Sequence, residues 1–177
     1  IYTLIGEGLW NVISIQILLD RISCVVIALM AKSLFGKGFW VAGILSAINL
    51  NMVILSASLL TDTLFLFLFI LFLFSLLQYL HSDKIIWFFL LVLFISSATL
   101  VRAASYYLLP FLLVGLVSLR LWQRDSILKI TKLIIMYLVV TAVLLGGIHQ
   151  RNYQQYGSVG FVSQTGTAIL GWIVPAT

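Results

Sequence analysis

Apolar residues run along this chain in long blocks, interrupted by a few polar positions at a time. The clearest block extends from Thr63 to Leu80 and contains LFLFLFILFLF at Leu64–Phe74. A run of about 18 or more apolar residues is long enough to cross a bilayer as a helix. A membrane barrel strand would alternate apolar and polar side chains at every second position. This run shows no such alternation, so helices that satisfy their own backbone groups are the expected solution.

The pattern predicts an all-α, polytopic transmembrane helical bundle of about six spanning helices. The spans fall at Trp10–Leu34, Phe39–Leu60, Thr63–Leu80, Ile85–Val101, Tyr106–Leu121 and Ile130–Ile148. The connections between them are short, and short connections make sequential helices antiparallel neighbours. The fourth and fifth spans are brief for a hydrocarbon core of roughly 30 Å, so one of them is expected to be broken or sunk in protein. Beyond Ile148 a polar tail, HQRNYQQYGSVGFVSQTGT, follows the last span. No internal repeat or low-complexity linker interrupts the chain, and residues 1–177 are read as a single transmembrane domain. It starts at Ile1 with no basic leader region or small-residue cleavage site. No signal peptide is therefore expected, and the chain is expected to be part of a longer protein.

Composition narrows the class. The chain has 177 residues, of which 63% are hydrophobic and 8% charged. Soluble domains carry about 25% charged residues, so too little charge is present here to cover a water-facing surface. The net charge of +5 suits membrane topology better than nucleic acid, because the basic residues are distributed unevenly. Lys32, Lys37, Lys84, Arg120, Arg124, Lys129 and Lys132 flank the first, third and fifth connections. Arg102 and Arg151 are the basic residues of the second and fourth connections and the tail. The positive-inside rule then puts the first set in the cytoplasm, and Asp62, Arg102 and His149–Thr177 outside. The lone cysteine, Cys24, lies in an apolar segment and is read as a packing residue.

Charged positions inside this apolar chain carry the candidate chemistry. Asp62, in LLTDTLF, stands at the turn before the third span, where it or Thr61 caps a helix or serves a site. Arg102, in SATLVRAASYYLLP, lies at the outer end of the fourth span. It is either a snorkelling side chain or a bidentate clamp for phosphate. Arg151, Asn152 and Tyr153 follow the sixth span, as an interfacial polar belt or as a second anion or sugar contact. Asp20 and Arg21 are adjacent within the first span and read as polar contacts to a neighbouring helix. Glu7 lies near the outer start of that span. The chain has no Walker loop, GxGxxG or Cys/His metal cluster, and no nucleic-acid partner is expected. One acidic and two basic residues on the outer face suit an anionic, lipid-anchored ligand.

The order QILLDRISCVVIALMAKSLFGKG, AINLNMVILSASLLTDTLFLF, ATLVRAASYYLLP and HQRNYQQYGSVGFVSQTGT resembles membrane glycosyltransferases of the GT-C type. The likeness is closest to the group containing protein O-mannosyltransferases and aminoarabinose transferases. It rests on the basic turn Lys32–Gly36, the stretch Ser58–Asp62, Arg102 followed by Pro110, and Arg151–Gly157 with Tyr156 where the family has phenylalanine. The resemblance implies transfer of a sugar from a polyprenyl-phosphate donor to a lipid, glycan or protein acceptor, on the extracytoplasmic face of the plasma membrane. It implies that Asp62 is the second acidic residue of the catalytic site and that Arg102 and Arg151 bind the donor phosphate. Asn152 and Tyr153 would line the substrate entrance, among membrane lipids; a divalent metal is left open. The family's principal catalytic carboxylate lies in a first outer loop that would precede Ile1, so the chain is expected to be catalytically incomplete. A transporter or lipid flippase is the alternative; a noncatalytic scaffold is a third reading.

The charge asymmetry gives a direct test. Cysteines introduced at Lys84 and at Ser158 are expected to react with an impermeant thiol reagent from opposite sides of the membrane. Labelling from the same side would overturn the topology.

Overall fold

The computed structural model describes residues 9–49 and 62–157. Glu7, Thr61, the end of the second expected span and the segment after Gly157 lie outside the described residues. Among the described residues the regular elements are all helical. They are α1 (Leu9–Phe35), α2 (Phe39–Ile48), α3 (Asp62–Ser82), α4 (Ile85–Val101), a 3-10 segment (Ala103–Tyr107), α5 (Leu108–Trp122) and α6 (Ile127–Tyr156). Four candidate spans meet the length and apolarity needed to cross a bilayer: Val12–Phe35, Asp62–Ser82, Ala103–Trp122 and Ile127–Gln155. The protein is a helical membrane bundle. Two apolar helices are shorter, Phe39–Ile48 and Ile85–Val101. The first is the described part of the second expected span. The second has 17 residues and at 1.5 Å per residue is roughly 25 Å long.

The chain divides into two compact units, Ile1–Ser105 and Tyr106–Thr177. In the first, α3 packs along α4, and α1 packs against both α2 and α3. Helix α4 is short because it is the helix sunk in protein. Phe88, Leu91, Val92, Ile95 and Thr99 recur at helical spacing and are all buried, together with Ser96 and Ala98. Leu91, Val92, Ile95, Ser96, Ala98 and Thr99 each have 0% exposure. Ser75 on α3 and Ser96 and Ala98 on α4 are small and buried, the residue type that lets membrane helices approach closely. The Thr99 hydroxyl donates to the Ile95 carbonyl at 2.9 Å, so its burial leaves no orphan proton. Tyr79 of α3 meets Phe88 of α4 edge to face, with ring centroids 5.1 Å apart.

Helices α1 and α2 meet closely enough to need a glycine. A Cβ at Gly43 would stand 3.3 Å from the Cβ of the buried Ala28. Their connection turns through Gly36 and Gly38, with φ of 70° and 93°, values that glycine adopts without steric cost. Cys24 is buried, as a packing residue should be.

In the second unit, Pro110 lies in the first turn of α5, where its missing N–H removes a donor that has little intrahelical use. The 3-10 segment leads into this turn, and together with α5 it forms one candidate span, Ala103–Trp122. The Tyr137 hydroxyl of α6 donates to the Leu109 carbonyl at 2.8 Å, tying α6 to α5. At the other end of α5, Arg120 is almost fully buried. Its Nη1 donates to Gln123 Oε1 at 3.0 Å and to Asp125 Oδ2 at 3.3 Å. Lys129 reaches the same carboxylate at 3.2 Å. Two of the basic residues counted as a topological signal thus also clasp the α5–α6 turn.

Helix α6 runs 30 residues, well past Ile148. His149–Tyr156, expected as a polar tail, continue the helix. No glycine or proline stops it until Gly157, which has φ 63° and donates its N–H to the Tyr153 carbonyl at 3.0 Å. That left-handed glycine is an ordinary helix stop.

The α3–α4 seam gives a stability test. Ala98→Leu should overpack it, at a cost of about 1–3 kcal/mol, and lower the thermal midpoint in detergent by about 2–4 °C per kcal/mol. Leu100→Ala, at a position 41% exposed, should shift the midpoint far less. Equal shifts would contradict the buried seam.

Candidate functional site

Asp62 and Arg102 are 40 positions apart in sequence, and the α3–α4 hairpin brings them together. Asp62 is the first residue of α3, and Arg102 directly follows the last residue of α4. The two helices are joined through Asp83 and Lys84 and run antiparallel, so the start of one lies beside the end of the other. Both charges suit their helix ends, a carboxylate at an N-terminus and a cation at a C-terminus. Arg102 turns out of the helix in extended conformation, with φ −138° and ψ 110°. Its backbone stays anchored: its N–H donates to the Ala98 carbonyl at 2.9 Å, and its carbonyl accepts from the Ser105 N–H at 3.1 Å.

The side chains form an ion pair, with Arg102 Nη1 donating to Asp62 Oδ1 at 3.0 Å. The side chains are 55% and 32% exposed, respectively, so the pair faces an open end of the unit. Arg102 Cζ also sits over the Phe65 ring, 5.7 Å from its centroid. Among the described residues, the Nε and Nη2 edge of the guanidinium makes no hydrogen bond. That edge is the fork that grips planar or tetrahedral oxyanions through two parallel bonds. Of the two readings of Asp62, capping and site residue, the carboxylate shows its bond to Arg102 and none to the first-turn N–H groups of α3 among the described residues.

Arg151, Asn152 and Tyr153 lie on the last turns of α6, in the second unit. Arg151 Nη2 donates to Asn152 Oδ1 at 3.3 Å. Asn152 is 6% exposed and Tyr153 63% exposed. His149 meets Tyr106 edge to face, with centroids 5.8 Å apart.

Asp20 and Arg21 differ from expectation. They line an open cavity of about 430 Å³ with Ile17, Cys24 and Ala47. Asp20 is half-buried and Arg21 exposed. Among the described residues neither makes the polar contact to a neighbouring helix read from the sequence.

Among the described residues the donor set does not fit a divalent cation. Among the described residues no three His, Cys, Asp or Glu side chains cluster. Asp62 has a guanidinium as its near neighbour, which would repel a cation.

Sequence reasoning overlooked Phe65. The signal was available: Phe65 is three residues after Asp62, hence on the same helix face. Within LFLFLFILFLF its identity looked like one more apolar residue.

The described elements are thus all helical, with an exposed ion pair at one end of the first unit. A family model, that of dolichyl-phosphate-mannose-protein mannosyltransferase, matches residues 1–145. The chain belongs to this family of membrane glycosyltransferases. The match spans Asp62, Phe65 and Arg102 and ends before Arg151. Neither the curated proteins nor the solved structures contain a match to this chain.

Because the ion pair is exposed, its worth to folding should be about 0–1 kcal/mol. Asp62→Asn and Arg102→Gln are each expected to leave the unfolding free energy in detergent within about 1 kcal/mol of wild type. A loss of roughly 3 kcal/mol or more would mark the pair as a buried structural element instead.

Proposed function

We propose that this chain contributes the donor-phosphate site of a glycosyltransferase that moves a hexose from a polyprenyl-phosphate carrier to an acceptor on the extracytoplasmic face. One observation carries the reading: among the described residues Asp62 engages Arg102 through Nη1 alone, which leaves the Nε–Nη2 fork for an anion. The family's name supplies the substrate class: mannose on dolichyl phosphate is the first donor to test, and a protein hydroxyl the first acceptor. The excess of basic residues at the opposite helix ends supports an outward-facing site, and the apolar flanks of α3 and α4 suit a lipid-anchored donor arriving within the membrane.

The chemistry is a displacement at the anomeric carbon. The acceptor hydroxyl forms the new C–O bond as the bond to the carrier phosphate breaks, and the electron pair leaves on the phosphate oxygen. Arg102 meets that developing charge with two donors aimed from one rigid plane, in the place where charge accumulates. Asp62 holds the guanidinium from its far side and is the second acidic residue of the site, oriented toward the acceptor. A carboxylate acting as general base takes the acceptor proton. In the second unit, the family resemblance assigns Arg151 to donor-phosphate binding and Asn152 and Tyr153 to the substrate entrance. No step here passes through a metal ion.

Arg102→Ala tests the assignment. Losing a charge-assisted contact to a desolvated anion costs roughly 2–5 kcal/mol. Expressed at the transition state, that is on the order of 30-fold to several thousand-fold in rate. Arg102→Lys keeps the charge, loses the fork, and should retain part of the activity. The measurement is sugar transfer from a polyprenyl-phosphate donor at matched expression; equal rates for wild type and the alanine variant would remove Arg102 from the site.

A further inference from the structure

The phenylalanines of α3 are not equivalent. Phe65, Phe69 and Phe72 stand at i, i+4 and i+7, so they form one stripe along the helix, and Asp62 begins that stripe one turn earlier. Phe72 is 3% exposed and fixed in the core. Phe69 packs on it with ring centroids 5.5 Å apart. Phe65 stacks on Phe69, with centroids 5.8 Å apart and an interplanar angle of 24°. Arg102 lies over the top ring. A ladder of aromatic contacts therefore connects the buried core to the guanidinium, in steps that each restrict the next.

An arginine that is half exposed has many rotamers, and freezing them upon anion binding costs free energy. Asp62 alone fixes a single nitrogen and leaves the plane free to rotate about that contact. The ring of Phe65 supplies the missing restraint, because its electron-rich face attracts the cation. With carboxylate and ring both in place, the orientation of the Nε–Nη2 fork is set before any ligand arrives. We propose that Phe65 is a positioning residue for the donor phosphate, acting through Arg102. This rests on the reading of Arg102 as the phosphate-binding residue.

The test is a double-mutant cycle on the full chain in nanodiscs, titrated with polyprenyl phosphate lacking the sugar. Phe65→Leu, which keeps an apolar side chain, should raise Kd about two- to five-fold, the range expected for a cation held over an aromatic face. Phe65→Tyr and Phe65→Trp should bind as wild type or tighter, since both retain the ring. In an Arg102→Ala background Phe65→Leu should change Kd no further, because its effect is transmitted only through the guanidinium. Three results would overturn the proposal. Wild-type affinity in Phe65→Leu, while Arg102→Ala binds weakly, would remove Phe65 and leave Arg102 in place. An equal loss from Phe65→Leu in both backgrounds would assign the ring to helix packing. Wild-type affinity in Arg102→Ala would remove the phosphate site itself, and with it any positioning role.

Discussion

The packing of α4 into α3 is the constraint on which the first unit's chemistry depends. In a bilayer, the apolar surface of a helix gains nothing by leaving lipid, so helix pairs hold through close contact and satisfied polar groups. Tyr79 on Phe88 and Phe74 on Trp87 provide that contact, beside the fully buried Leu91, Val92, Ile95 and Thr99 of α4. The connection through Asp83 and Lys84 fixes the hairpin, and Asp83 takes the left-handed conformation, φ 53°, that the reversal needs. Once the register is fixed, the first residue of one helix and the residue just past the end of the other must be neighbours. The Asp62–Arg102 pair follows from the hairpin; it is too exposed to create it.

Much of this arrangement was legible in the sequence because it follows from length and hydropathy. The bounds of α4 coincide with the expected Ile85–Val101, since Lys84 and Arg102 mark its ends. That Asp62 and Arg102 stand at the same end of the α3–α4 hairpin followed from the alternation of spans, whereas their ion pair was not read from the sequence. Other features were not legible, for physical reasons. The end of α6 was missed because polarity was taken to end a helix, whereas backbone geometry ends it at Gly157. The burial of Arg120 was missed because a basic residue near a turn looks like a topological signal until a carboxylate, Asp125, folds back on it. The aromatic stripe of α3 was invisible within a run where every position is apolar, because such a run carries no amphipathic signal to distinguish its faces.

The charges of the first unit follow a simple division. Lys32, Lys37 and Lys84 lie at one set of helix ends, and Asp62 and Arg102 at the other. Arg102 is accompanied by a carboxylate and a ring. This combination directs the remaining donors of the guanidinium. Arg151 of the second unit is likewise neighboured by a polar partner, Asn152, and its side chain belongs to a part of α6 beyond the family match.

The central claim is that the open edge of Arg102 receives the phosphate of a polyprenyl carrier. The most direct measurement is a cryo-electron microscopy structure of the full-length protein in a nanodisc with polyprenyl phosphate bound. The account predicts phosphate density within hydrogen-bonding distance of Arg102 Nε and Nη2, with Asp62 still on Nη1 and the lipid chain along the apolar flank of the unit. Phosphate density placed elsewhere, with the Arg102 fork facing only solvent or lipid headgroups, would contradict it.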